Sequence, residues 1–397
     1  MISDSINEDV LLGEVASFIR GINFKPKDVV PEGTDGAVAC MRTKNVQKEL
    51  DVSDVWFVDR SFVRRDEQLM QNGDILISSA NSWNLVGKCC WIPDLPWTTS
   101  FGGFVSVLRA DPKRVFPRYL YHWFASPRIQ LTARSFGRQT TNISNLDMNR
   151  CKKLQLKLPP LDEQKRIAEV LDRAEALRAR RRAALALLDE LTQSIFLDMF
   201  GDPVTNPEGW PIRPIVELAE NKDSMRVPIK QSDRDERSGK YPYYGSVGII
   251  DDIDDFIYEG PHLLISEDGK HLETRNRPIA CLADGQFWVN NHAHVLAANG
   301  NAELVFLAFN LEMRPLHQFV TGIDQFKLNR KSMDKIPVAV PPIELQQEFA
   351  QRIRAIEDQK SRFEAHLGEL GSLFASLQSR AFKGELFGCS LEPVAAD

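Results

Sequence analysis

Polar and apolar residues alternate at 153–158, where Leu154, Leu156 and Leu158 interleave with Lys153, Gln155 and Lys157, and again at 335–340 through Ile336, Val338 and Val340. A period of two marks a strand with one buried face, so both stretches predict a strand. Each strand is cut off by a Pro-Pro pair, at 159–160 and 341–342, because proline lacks a ladder donor and biases the preceding residue away from helix. Asp162 and Glu163 in one copy and Glu344 in the other then place negative charge where a helix dipole favours it.

Beyond these starts the period changes to that of a heptad helix. The first series runs Ile167, Val170, Ala174, Leu177, Arg181, Ala184, Leu188, Leu191 and Ile195. The second runs Ile353, Ile356, Lys360, Phe363, Leu367, Leu370, Phe374, Leu377 and Ala381. Such seams need a partner helix. The simplest partner for each is the other, although each could pack on its own domain or on a second chain. Arg181 and Lys360 interrupt the seams, and a long cation can snorkel out to water, which is the expectation for both. The expected seam contacts are Ile167, Leu177, Leu188 and Leu191 against Ile356, Phe363, Leu367 and Leu370.

The two copies of strand, Pro-Pro and helix lie 182 positions apart and share Lys153/Lys335, Pro159/Pro341, Pro160/Pro342, Gln164/Gln346 and Ala168/Ala350. Glycine and proline in "MFGDPVTNPEGWP" stop the first helix, and the second ends near "AFKGELFG". The blocks before each copy are rich in short β-like runs such as "DILISSANSW", "FVSVLRAD", "HLLISEDG" and "HAHVLAANG". The pattern predicts an α+β chain with an internal pseudo-twofold repeat, ordered domain, helix, domain, helix.

Composition sets bounds on function. A 397-residue chain that is 43% hydrophobic and 26% charged is ordinary for a soluble protein of two or three domains. It has no run of 18 uncharged apolar residues, and "MISDSINEDV" is acidic, so neither a membrane span nor a signal peptide is read and a cytoplasmic location is expected. Six cysteines without a C-x-x-C pair read as reduced, buried filler. The net charge is −6, yet residues 1–155 carry 20 Lys and Arg against 17 Asp and Glu. A nucleic-acid role must therefore rest on local surfaces.

Catalytic motifs are missing where they would be sought. The Gly-Lys pairs at 87, 239 and 269 lack the earlier glycine and following Ser or Thr of a P-loop. "SFGGF" at 100–104 lacks the βαβ context of a dinucleotide turn. The Pro-Pro pairs are flanked by Leu or Val and Leu or Ile, unlike the Asn/Asp-Pro-Pro-aromatic tetrad of adenine methyltransferases. In "FWVNNHAHVL" at 287–296, Asn290, His292 and His294 would share one face of a strand. A metal there would want a third ligand, which no nearby spacing supplies, so a hydrogen-bonding polar strand or a DNA-facing surface reads better.

The stretches "LGEVASFIRG", "SFGRQTTNISNLDMNRCKKLQLKLPPLDEQKRIAEVLD", "YPYYGSVGIIDDIDDFIYEGPHLLISEDG", "GQFWVNNHAHVL" and "RAFKGEL", in this order, resemble the specificity subunits of type I restriction-modification systems over essentially the whole chain. Leu345 stands where the first repeat has Glu163, a departure from the pattern. The resemblance implies two mixed α/β target-recognition domains, each reading one half of a gapped double-stranded DNA site, separated by an antiparallel coiled coil of two long helices. It places the first domain at 1–158, the first helix at 159–200, the second domain at 201–340, the second helix at 341–388 and a tail at 389–397. It also implies a reader without a catalytic site or cofactor of its own. Two modification subunits and restriction/translocase subunits would bring S-adenosylmethionine, ATP and Mg. The rival readings are a free-standing methyltransferase or nuclease and a non-DNA scaffold built on the helix pair. Polar or aromatic residues in Gly-, Ser- or Asn-rich loops are the candidates for DNA contact: Ser79, Asn81, Arg138, Gln139 and Thr140 in the first domain, and Tyr244, Lys270, His271, Arg275 and Gln325 in the second.

Overall fold

The computed structural model describes residues 8–139, 143–322 and 325–387. The helices used below are α1 (Pro117–Phe124), α2 (Leu161–Phe200), α3 (Leu304–Met313) and α4 (Ile343–Lys383). The chain forms two compact units, one of Met1–Arg180 with Leu367–Asp397 and one of Arg181–His366. Each unit therefore owns part of α2 and part of α4. Among the described residues no helix is long and apolar enough to cross a membrane.

In the first unit, Gln155–Leu158 is a strand paired antiparallel with Glu8–Leu11, and Leu156 and Leu158 are buried while Lys157 is exposed. A four-stranded antiparallel sheet runs in the order Ala16–Arg20, Val105–Ala110, Ile75–Ser78, Cys89–Trp91. The core joins Ile75, Ile77 and Leu108 of that sheet, Tyr119, Leu120, Trp123 and Phe124 of α1, and Ile167, Ala168 and Leu171 of α2, with Phe374, Leu377 and Ala381 of α4.

The second unit repeats the plan. Pro337–Ala339 pairs antiparallel with Ile212–Pro214, and the sheet order is Ala219–Asn221, Ala293–Ala298, His262–Ser266, Ala280–Ala283. Its core is centred on a ring cluster of Phe196, Phe200, Phe306, Phe309 and Phe349. Burying each such ring contributes roughly 1.5–3 kcal/mol gross, so the end of α2 and the start of α4 are anchored to α3. A second sheet of Gly248–Ile253, Ser238–Gly245, Gln286–Val289 and Tyr258–Glu259 completes the unit.

The glutamine shared by both repeats explains the spacing after Pro-Pro. Gln164 Nε2 donates to Pro159 O at 2.8 Å, and its Oε1 accepts from Phe116 N at 2.7 Å, at the start of α1. Gln346 Nε2 donates to Pro341 O at 2.8 Å, and its Oε1 accepts from Glu303 N at 3.0 Å, at the start of α3. Both side chains are buried. Each glutamine thus ties the first turn of a long helix to the first turn of its domain helix, satisfying one of the amide donors a helix start leaves open. At the other end, α2 and α4 are followed by Gly201 and Gly384, with φ of 75° and 79°, the left-handed stop that glycine adopts without a Cβ penalty.

Within each unit α2 and α4 run antiparallel. In the first, Ile167 and Ala168 share a core with Ala381, and Arg178 meets Phe374. In the second, Arg181 lies over Phe363 at 3.9 Å, Asp189 pairs with Lys360 at 2.8 Å and Phe196 packs on Phe349. The seam of α2 differs from the expected one in phase. Its inward positions include Ile167, Leu171, Ala174, Arg178, Arg181, Leu185, Leu188, Thr192 and Ile195, all buried or half-buried. Leu177 and Leu191, expected in the seam, are 49% and 44% exposed. The correction is a shift of one residue at these positions: apolarity favours Leu177 and Leu191 over Arg178 and Thr192, yet the latter pair have internal partners. The Arg178 guanidinium lies over Phe374, and Thr192 Oγ1 donates to Asp189 O at 2.7 Å. On α4, Ile356, Phe363 and Leu367 are half-buried and Leu370 is buried.

Arg181 and Lys360 carry their charged heads to exposed polar partners at the margin of the seam. Arg181 Nη2 donates to His366 Nδ1 at 2.7 Å, and Lys360 Nζ bonds Asp189 and Glu357 at 2.8 and 2.9 Å. Partial desolvation disfavours the Lys360 charge, but the two carboxylates outweigh it and raise the ammonium above its ordinary value. Among the cysteines, burial pushes Cys40, Cys90 and Cys151 up to about 12 and Cys281 up to about 11, so their thiols stay protonated.

Candidate nucleic-acid interface

Each unit gathers loops from distant parts of its sequence at the same end of its four-stranded sheet, and the backbone bonds that gather them are the same twice. In the first unit Ser79, just beyond the strand Ile75–Ser78, donates its N–H to Phe104 O at 3.0 Å and accepts at its carbonyl from Leu146 N at 2.8 Å. In the second, Glu267, just beyond His262–Ser266, donates to His292 O at 2.9 Å and accepts from Leu328 N at 2.7 Å. A sheet end with such repeated loop anchoring is the kind of rigid support on which binding residues are usually displayed.

In the first unit, Ala80–Asn81 pairs with Ser144–Asn145, which pairs with Arg138–Gln139. This short ribbon brings together Asn81, Arg138 and Gln139, more than 50 positions apart in sequence. Thr140 lies outside the described residues. Asn81 Nδ2 donates to Ser78 Oγ at 3.0 Å, and its Oδ1 accepts from Ser82 N at 2.8 Å, shaping the turn. Beyond it Trp83 is exposed, with the Arg134 guanidinium 5.9 Å from its ring centre. Phe104 is the most exposed aromatic side chain here, at 63%.

In the second unit, the hairpin Ser238–Gly245/Gly248–Ile253 presents Val247, Ile249 and Ile250 to solvent at and beside its tip. Its turn is held because Ser266 Oγ donates to Ser246 O. Tyr244 is half-buried with its ring edge-on to Phe287 at 5.5 Å, and Lys270 and Gln325 are exposed at neighbouring loops. Gly269 N donates to Phe326 O at 3.0 Å, which joins the Lys270 and Gln325 loops. Gly269 holds φ of 127°, a conformation other residues rarely adopt.

Three of the ten candidates take other work. Ser79 is buried and accepts from Ser106 Oγ at 3.1 Å. His271 is buried with Nε2 2.9 Å from Ser266 Oγ, and burial together with Arg277 and Arg275 holds its pKa below the ordinary value. Arg275, at φ 52°, ends a short helix and donates to Arg314 O, with Glu312 3.8 Å away. Ser79 and His271 are buried and bonded inside the fold, and Arg275 is half-buried with one guanidinium nitrogen bonded to Arg314 O. Loop composition cannot signal this, because it does not show which way a side chain turns.

"FWVNNHAHVL" is also resolved differently from the expectation of one shared face. The strand Gln286–Val289 ends before Asn290, and a new strand begins at Ala293. His294 is buried between Asp223 Oδ2, 2.6 Å from Nδ1, and Leu328 O, 2.8 Å from Nε2, so both ring nitrogens are occupied and neither is free for a metal. Arg226 extends the network by bonding Glu267 at 2.8 Å and Ala293 O at 2.8 Å. Despite their burial, Asp223 and Glu267 are held below the ordinary carboxylate range by His294 and Arg226, with Lys327 also acting on Glu267. His292 instead faces solvent, its Nδ1 2.6 Å from Asp268 Oδ2. The network fixes the loop bases, and His292 stands on the rim.

Comparison with known proteins places this architecture. The EcoKI specificity subunit of Escherichia coli K12 is 30% identical over 161 residues, 40% of this chain and 34% of that protein. The StySPI specificity subunit of Salmonella potsdam is 22% identical over 439 aligned positions, 94% of this chain and 87% of that one. The relatives at 30% identity or above are matched over only about a third of their own length. The crystal structure of a type I restriction-modification system S subunit from M. genitalium shares the fold, with a TM-score of 0.59 at 15% identity over 96% of this chain and 97% of that one. The family model of the type I restriction modification DNA specificity domain matches twice, at residues 8–186 and 207–369. With two copies of that domain covering most of its length, the chain belongs to the type I restriction-modification DNA specificity family.

Proposed function

We propose that the chain is the DNA-reading subunit of a type I restriction-modification complex and has no catalytic site of its own. Each unit reads one half of a bipartite, gapped double-stranded site. The helices α2 and α4 set the distance between the halves and dock two modification subunits, and restriction/translocase subunits join the assembly. The observation that carries this reading is the repetition of one scaffold with unlike rims: identical anchoring bonds at Ser79 and Glu267 support loops of different chemistry. Such a plan suits recognition of two different half-sites, because the scaffold positions and the rim side chains specify. S-adenosylmethionine, ATP and Mg chemistry belongs to the partner subunits, and the complex works in the cytoplasm. Two modules joined in one chain bind their paired half-sites as one, since the second contact is intramolecular.

The test is a genome-wide map of methylated adenines in cells with and without this chain, partner subunits present in both. A gapped motif that vanishes with the chain is the expected result. A purified chain that transfers labelled methyl groups to DNA by itself would refute the non-catalytic assignment.

A further inference from the structure

One position of the shared scaffold carries opposite chemistry in the two units. The residue that opens the inner strand is Phe104 in the first unit and His292 in the second. Their carbonyls accept the equivalent bonds from Ser79 N and Glu267 N, and the next residues, Val105 and Ala293, pair with Ser78 and Ser266 in the same register. The backbone is one device used twice, and the side chain is what differs.

Phe104 is 63% exposed, so most of its ring is open to a ligand, and covering it would be favourable. It can offer a base no hydrogen bond. His292 is also exposed, and Asp268 holds its Nδ1 at 2.6 Å, which orients the ring and leaves Nε2 as the atom a base edge would meet. We propose that this strand-opening position is a base-reading position in both half-sites. Phe104 contacts an apolar edge, the thymine 5-methyl, and His292, braced by Asp268, hydrogen-bonds a base edge through Nε2. The proposal rests on the DNA-reading function argued above and assigns it to particular residues.

The experiment uses the full chain co-expressed with its modification subunits, comparing Phe104→Ala, Phe104→His and His292→Phe by genome-wide mapping of methylated adenines. Phe104→Ala is expected to lose about tenfold or more of the discrimination at one base pair of one half-site, leaving the other half unchanged. Phe104→His should change the base preferred at that pair, and His292→Phe should act on one pair of the other half-site. An unchanged motif in all three variants overturns the assignment. So does a uniform fall in methylation at every site with the motif intact, because that result gives Phe104 to a partner subunit or to the support of its loop. If the parent chain directs no motif at all, the DNA-reading function fails and this assignment with it, an outcome separable from the other two.

Discussion

Single side chains do unusual amounts of organising in this molecule. Gln164 and Gln346 each bridge a Pro-Pro carbonyl and the amide at a domain-helix start. Replacing either with alanine strands a buried donor and a buried acceptor, so Gln164→Ala should lower unfolding free energy by roughly 1–3 kcal/mol in urea denaturation. Gln346→Ala should cost a similar amount. His271 supplies a pH signature. Its folded pKa lies below the ordinary 6.5, so the unfolded chain binds a proton more readily than the folded one as acidity rises. Stability therefore falls as pH drops through about 6.5, and urea midpoints at pH 7.5 and 5.5 should diverge less in His271→Gln than in the parent. The repeated glutamine is legible in the sequence as a recurrence, but its task is not, because the amide it accepts from lies 48 residues away in one copy and 43 in the other.

At the scale of elements, the two strands, the Pro-Pro stops, both long helices and their glycine ends follow from local pattern, since period, proline and glycine act within a few residues. The seam phase of α2 does not. Heptad reading selects the most apolar register, whereas the fold turns Arg178 and Thr192 inward and gives them Phe374 and Asp189 O as partners. Isolated-chain stability separates the registers: Leu171→Ala should cost about 2–5 kcal/mol as a core truncation, and Leu177→Lys should fall within about 0.5 kcal/mol of the parent. Equal losses from both would contradict the seam described. The rim loops were legible only as composition. Asn81 and Arg138 meet through Ser144–Asn145, a pairing no short window contains, and Phe104 lies in a run that reads as strand entry.

For the whole molecule, the helices make the proposed spacing function measurable. Each residue of α-helix adds about 1.5 Å, so four residues inserted into α2 between Arg180 and Ala184 add about 6 Å. The methylated motif should then keep both half-sites and gain one or two unspecified base pairs. An unchanged gap would show that the helices do not set it. The division of the chain also bears on how it is made. The second unit is a continuous stretch, Arg181–His366, while the first needs Phe374, Leu377 and Ala381 to finish a core begun by residues 10–171. On a ribosome, where domains fold as units during synthesis, the unit translated first is the last to close. Until the end of α4 emerges, the apolar face of α1 and the start of α2 must wait uncovered, so cleavage near residue 366 leaves the second unit whole and the first as a target for chaperones and proteases.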